Sequence, residues 1–399
     1  MSCLFPHIEK WKADYGPVYV FSLVKMVIVC LCDFDIVRDF CQCRSTEFGR
    51  SAYLRNNRGI LFGYDSLITS KGKSWALQRK VIAPKFFNDI ARQGMVDMMV
   101  ESAVSVLEKW ESQMEEAGEV TSVRVDEDLK SLSAEMISKA CFGSNHLIGN
   151  EIFSKMLVLQ DLLSKQHAFV GLPGIAHDIR RIGKEVDQFV LKLTDDDYNA
   201  EKPSFLQALV NNFGPGWSAI VDDCKAIFFA GHETTASGAT FALVLLAHHP
   251  EEILGNQAPN MDKLHKMKLL NMVNYEILRL YSPGPFLTRE TSEEMKFGEF
   301  AIPKGVNIWI PISLLHQDPA NWGNNAHEFH PERFANGISS ACKLPNLFMP
   351  FGTGIRNCIV LSLLLSKFTF SLSPEYIHLL TYKLFFKPEH GVQLKMEKI

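Results

Sequence analysis

Ten residues near the C-terminus combine more reactive potential than any other run in the chain: Phe351-Gly352-Thr353-Gly354-Ile355-Arg356-Asn357-Cys358-Ile359-Val360. A cysteine follows a Gly-rich turn and an arginine, and an apolar stretch begins directly after it. The glycines allow backbone conformations that a Cβ would forbid. A thiol at a helix start feels the positive end of the macrodipole, which favours thiolate. A thiolate is the electron-donating axial ligand that an iron porphyrin needs for oxygen activation. Arg356 has the charge and fork geometry to bind a carboxylate such as a porphyrin propionate. Alone, such a cysteine is more simply an inert buried thiol.

A second chemical centre lies in a long apolar helix expected from Trp217 to His249, bracketed by Pro215 and Pro250. At 1.5 Å per residue it could reach roughly 45–50 Å, enough to cross a domain. Its middle reads Phe228-Phe229-Ala230-Gly231-His232-Glu233-Thr234-Thr235. An acid and two hydroxyls there are costly by helix propensity. Gly231 would let a flat group approach the backbone. His232-Glu233 also tests a zinc-protease reading, but the fifth position is Ala236, so the second zinc ligand is absent.

Two further pairs and two short segments have suggestive chemistry. Trp75 and Arg79 lie four apart on an expected helix. Glu276 and Arg279 lie three apart on an expected helix from Asn271 to Tyr281, so they share a face. Arg289 falls in Phe286-Leu287-Thr288-Arg289-Glu290, and Pro331-Glu332-Arg333-Phe334 precedes the cysteine run.

These segments, in this order, resemble the motifs of the cytochrome P450 superfamily, the haem-thiolate monooxygenases. The cysteine run matches the pattern Phe-x-x-Gly-x-Arg-x-Cys-x-Gly at Phe351, Gly354, Arg356 and Cys358, and departs from it at Val360. Ala230–Thr235 resembles the oxygen-activating segment at every position. The resemblance implies a mainly α fold with small β-sheets and a haem b cofactor ligated by Cys358. Trp75, Arg79, Arg289 and Arg356 would anchor the propionates. Thr234 would hydrogen-bond the dioxygen or its water, and Glu233 would help relay protons. Glu276, Arg279 and Arg333 would form a buried charged network. An apolar small molecule would bind above Ala230, near Phe286 and Leu287. Electrons would come from a separate NADPH-dependent flavoprotein reductase, since Gly352–Asn357 is not a nucleotide-binding glycine pattern. The wording around Trp75 and Ala230 looks most like plant members that oxidise terpenoid hormones such as gibberellins. Family membership would place the protein on the cytoplasmic face of the endoplasmic reticulum membrane.

The elements that must position these residues are a strand pair at Val18–Leu23 and Val27–Cys32, then a long helical middle, then a mixed C-terminal third. Helices are expected at Asp33–Cys43, at Asn88–Ala117 with apolar residues at Met95, Met98, Met99 and Val106, and at Leu129–Phe142. Gly118 closes the second of these. Gly171-Leu172-Pro173-Gly174 reads as a loop and Asp195-Asp196-Asp197 as a solvated connection.

By length alone 399 residues allow two or three domains, whereas the resemblance implies one haem-thiolate unit over residues 1–399. The composition, 47% hydrophobic and 22% charged, is that of a globular chain, and the net charge of −4 speaks against a nucleic-acid partner. Nine cysteines without regular spacing argue for a reducing compartment rather than a disulfide framework. Cys30-x-Cys32, Cys41-x-Cys43 and His327–His330 lack zinc-site spacing. Relatives carry an N-terminal anchor and a Pro-rich hinge, whereas this sequence opens close to Trp11–Pro17, their first folded segment. The anchor is therefore expected to be missing. The segments near 145–222, 250–268 and 359–371 read as shortened, with Ile359–Phe370 as the remnant of a longer helix. A catalytically inactive, haem-poor relative with a binding or regulatory role is the alternative reading.

Overall fold

The computed structural model describes residues 5–23, 26–43, 48–49, 51–87, 89–118, 120–143, 146–168, 173–196, 205–214, 217, 219–249, 263–350, 364–365, 367–382 and 385–398. The fold is mainly helical with small sheets, as expected. It begins with α1 (Pro6–Tyr15), β1 (Val18–Leu23), β2 (Met26–Leu31), α2 (Phe34–Gln42), β3 (Phe48–Gly49), α3 (Ala52–Phe62) and α4 (Gly72–Phe87). It continues through α5 (Asp89–Ala117), β4 (Val120–Arg124), α6 (Val125–Phe142), α7 (His146–Ala168), α8 (Pro173–Asp196), α9 (Phe205–Phe213) and α10 (Ala219–His248). The last third holds α11 (Lys263–Leu280), β5 (Phe286–Thr291), β6 (Met295–Phe297), β7 (Phe300–Ile302), β8 (Asn307–Pro311), β9 (Phe368–Leu372), β10 (Leu380–Tyr382), β11 (Phe386–Pro388) and β12 (Gln393–Lys398).

The local signals act as elementary chemistry requires. Asp33 caps α2 by accepting from the Asp35 and Ile36 amides, both at 3.0 Å. Gly118 ends α5 at φ 104°, a backbone state that costs other residues energy, and its N–H donates to Met114 O at 2.8 Å. The largest sheet runs β1-β2-β8-β5-β3, with β2 and β8 parallel and the other pairs antiparallel. A three-stranded sheet runs β4-β12-β9.

Helix α10 joins two cores. Its C-terminal half packs with α5, α6, α11 and the three-stranded sheet, around Trp110, Leu243, Phe368 and Leu394. Its N-terminal half packs with α7, α8 and α9, around Leu159, Val186, Leu209 and Phe228. A third core fills the space between α2 and the large sheet.

Several expectations change. Pro173 and Gly174 open α8 rather than continuing a loop, and proline is well tolerated at a first helical position. Asp195 and Asp196 close that helix rather than linking elements. Phe368–Phe370 belong to β9, not to a helix after Cys358, because their ladder partners Met396–Lys398 on β12 offer a complete set of backbone bonds. Helix α11 starts earlier than expected, and Val125–Asp128 extend α6. Among the described residues, no helix is long and apolar enough to cross a membrane.

Candidate functional site

The central helix carries two adjacent stripes of opposite character. Phe228, Phe229, His232, Glu233 and Ala236 are buried. Ala230 is exposed and Thr234 and Gly238 are half-buried, one turn apart in each case, although the helix runs through the middle of the fold. A Cβ added at Gly238 would meet nothing within 4 Å. The chain therefore leaves open a strip of small residues on an otherwise covered helix. The Thr234 hydroxyl donates to Ala230 O at 2.5 Å, which satisfies it inside the helix until another acceptor is offered.

Gly231 lies off this stripe. A Cβ there would meet Ile137 Cδ1 at 2.5 Å, so glycine at this position lets α6 pack closely against α10. The close approach it permits is that of Ile137 rather than of a flat cofactor.

Glu233 points into protein. Its Oε2 pairs with Lys387 Nζ at 2.6 Å, and Oε1 stands 3.6 Å from His232 Nδ1 with no hydrogen-bond partner among the described residues. His232 Nε2 is 3.2 Å from Lys130 O. A carbonyl only accepts, so Nε2 carries the ring proton. Burial, opposed by Glu233, pushes His232 down to about 4 and keeps it neutral. Nδ1 and Oε1 are therefore two acceptors facing each other, a place that can hold one proton.

Helix α4 presents Trp75, half-buried, with the Arg79 guanidinium 5.6 Å from the centre of its ring. Gln78 ties the helix down, donating to Asp65 O at 2.7 Å and accepting from Ser70 Oγ at 2.7 Å. The intervening loop is held in turn by α10. Asp222 Oδ2 accepts from the Tyr64 and Asp65 amides, both at 2.9 Å, and Asp223 Oδ1 accepts from Leu67 N at 2.7 Å. Arg79 is thus registered to α10 through one loop. Burial, with Asp222 and Asp65 adding repulsion, raises the Asp223 carboxyl to about 7.

Arg289 sits on β5. Burial lowers its affinity for its proton, partly offset by Cys41. Its Nη1 donates to Thr288 O at 2.9 Å, and it makes no ion pair with any described residue. A guanidinium taken out of water without a carboxylate is costly. With no acid beside it among the described residues, this half-buried guanidinium can take an anion. The stripe of small residues on α10 has room for a flat group, and Arg289 and Arg79 have the chemistry to hold its carboxylates.

The charged network expected from Glu276, Arg279 and Arg333 is present and fully buried at its centre. Arg279 donates from Nε and Nη2 to Glu276, both at 2.7 Å, from Nη1 to His316 O at 2.8 Å and to Ala326 O, and from Nη2 to Glu328 O at 2.9 Å. Arg333 donates to Trp322 O and to Asn325, and its Nε lies 3.5 Å from Glu276. His316, which sequence reasoning missed, accepts from Met349 N at 3.0 Å, and Ser282 Oγ donates to Pro350 O at 3.4 Å. The network thus holds the chain up to the residue before the cysteine run. Phe351, Gly354, Arg356, Cys358 and Val360 lie outside the described residues.

Lys387 was also missed. It lies far from the other motifs in sequence and carries no pattern of its own. Cys30 and Cys32 are buried with their sulfurs 3.9 Å apart, and no cluster of three or more candidate metal ligands occurs among the described residues.

A family model described as "Cytochrome P450" matches residues 4–396. The chain is similar to Cytochrome P450 714C2 of Oryza sativa subsp. japonica, at 39% identity over 433 aligned positions, covering 99% of this chain and 83% of that protein. It is 37% identical to Cytochrome P450 714B3 of Zea mays, covering 99% of this chain and 80% of that protein. It is 35% identical to Cytochrome P450 714A2 of Arabidopsis thaliana, covering 99% and 84%.

Proposed function

This chain belongs to the cytochrome P450 family of haem-dependent monooxygenases, and on that premise we propose which of its residues hold the haem and which molecule it oxidises. The observation that carries the reading is the open strip of Ala230, Thr234 and Gly238 on a helix whose other faces are packed. Bound haem supplies the redox chemistry that activates O2. Cys358 is its thiolate ligand, and the haem is haem b. Arg289 takes a propionate, since it has no acid partner among the described residues. Trp75, Arg79 and Arg356 complete the anionic anchorage, and Phe351 and Gly354 shape the loop around the sulfur.

Thr234 offers a hydroxyl that can turn from Ala230 O toward the open strip. Glu233 Oε1 and His232 Nδ1, two acceptors 3.6 Å apart, can relay a proton one residue away from that hydroxyl. An apolar small molecule lies above Ala230, near the half-buried Phe286 and Leu287. By resemblance to plant members, the substrate is a terpenoid of gibberellin-like character. Electrons come from an NADPH-dependent flavoprotein reductase at the cytoplasmic face of the endoplasmic reticulum membrane.

One observation favours a second reading. The aligned span of 433 positions exceeds the 399 residues of this chain, which supports internal shortening. The shortened segments are those near 145–222, 250–268 and 359–371, and Val360 stands where the family pattern has glycine. A haem-poor relative would result. The carbon monoxide difference spectrum of the reduced protein separates the two. A red-shifted thiolate-type Soret band that Cys358→Ala abolishes is expected. A band that survives Cys358→Ala rejects the ligand assignment, and absent haem uptake supports the second reading.

A further inference from the structure

The hairpin formed by β10 and β11 pairs Leu380↔Pro388, Thr381↔Lys387 and Tyr382↔Phe386. It lies along one stripe of α10, and the contacts recur every four residues. Phe229 meets Phe385 with ring centroids 5.4 Å apart. Glu233 pairs with Lys387 at 2.6 Å. Ser237 Oγ donates to Phe386 O at 2.5 Å. The first and last contacts hold the hairpin by packing and by a backbone carbonyl. Neither needs a charged residue between them.

The middle contact is of a different kind. The Glu233 side chain is 3% exposed and that of Lys387 is 19% exposed, so the acid is deep and the ammonium reaches in from the edge. Placing two charges out of water is not a cheap way to attach a hairpin. Only one oxygen of Glu233 is used by the lysine. The other faces the proton-poor Nδ1 of His232, whose ring is fixed by Lys130 O. Lys387 therefore determines which way the carboxylate points, and Thr234, the next residue, lies on the neighbouring open stripe.

We propose that Lys387 is a positioning residue that clamps the Glu233 carboxylate to the hairpin side of α10 and so sets how this acid is presented relative to the open face that carries Thr234. The proposal rests on the reading that the open face is where oxygen chemistry occurs. The clamp itself does not depend on it.

Hydrogen–deuterium exchange of the full chain, with and without haem, tests the clamp directly. In Lys387→Met the amides of residues 385–387 should exchange at least about tenfold faster, because the deep carboxylate loses its partner. Lys387→Arg, which keeps the charge, should stay within about twofold of the parent. Glu233→Gln should match Lys387→Met, and the double variant should be no faster than either single one. Unchanged exchange in Lys387→Met, or additive effects in the double variant, overturns the clamp. The positioning role is read from the fraction of reducing equivalents lost to peroxide in haem-loaded protein. Lys387→Met should alter that fraction in the presence of Glu233 and not in the Glu233→Gln background. An equal change in both backgrounds, or none in either, overturns the positioning role. Failure of the carbon monoxide spectrum would instead remove the proposed function and leave the exchange result standing.

Discussion

Glu276→Gln is the sharpest perturbation of the framework beneath the site. Arg279 is 0% exposed and uses all five of its N–H donors: two on Glu276 and three on the carbonyls of His316, Ala326 and Glu328. Glu276 also accepts from His330 N at 2.9 Å and faces Arg333 Nε at 3.5 Å. Glutamine keeps the shape and one acceptor. It replaces the other oxygen with an NH2 group aimed at donors, and it leaves two guanidiniums without their anion. Breaking a buried pair from one side costs about 3–5 kcal/mol. That corresponds to roughly 150- to 5,000-fold in the folding equilibrium. It is a large part of the ~5–15 kcal/mol that holds a typical fold together. Urea unfolding of the haem-free chain, followed by circular dichroism and tryptophan fluorescence, measures it. Trp322 is a local reporter, since its ring lies 5.3 Å from the Arg279 guanidinium. A loss below about 1 kcal/mol would be that of a solvent-exposed pair and would refute the argument.

Thr234→Ala should keep haem content but send more reducing equivalents to peroxide, measured as peroxide formed per NADPH consumed; unchanged coupling would count against a role in proton delivery. Arg289→Gln should move two quantities in opposite directions. The haem-free fold should gain stability as a desolvated cation is removed, while haem bound per chain should fall, and parallel changes would contradict the anion-site assignment. Asp223→Asn should remove a pH dependence. Burial holds the Asp223 carboxyl near 7, above the ~3.9 of an exposed aspartate, so the folded chain retains a proton that the unfolded chain has released. Its contribution to stability falls as pH rises from about 4 to about 7 and is level above that. Urea midpoints at pH 5 and pH 8 should therefore differ less in the variant than in the parent, and equal differences would show that Asp223 titrates normally.

Much of the helical framework was legible because its signals are local. Asp33 caps the helix that follows it, Gly118 terminates α5 at positive φ, and the Glu276/Arg279 spacing places both on one face. One boundary that differed is set by a distant partner. Phe368–Phe370 fall at the end of the helix expected after Cys358, but their types favour a strand and β12, near the end of the chain, supplies their ladder. The role of Gly231 was misread for a related reason. A glycine in a helix announces a close approach, and only the packing of α6 shows that Ile137 is what approaches.

The sequence by itself determined which chemistry was available, because residue type, order and short spacing along a helix or turn are properties of the chain alone. Cys358, Thr234, Glu233 and the Glu276–Arg279 pair could all be found that way. Only the tertiary structure decided where those groups point and what they meet. Arg279 is saturated by three backbone carbonyls, which carry no residue identity to read. Glu233 is turned by a lysine more than 150 positions later, brought there by the hairpin's packing on α10. Long-range pairing depends on the burial of whole faces against one another, and no local pattern encodes it.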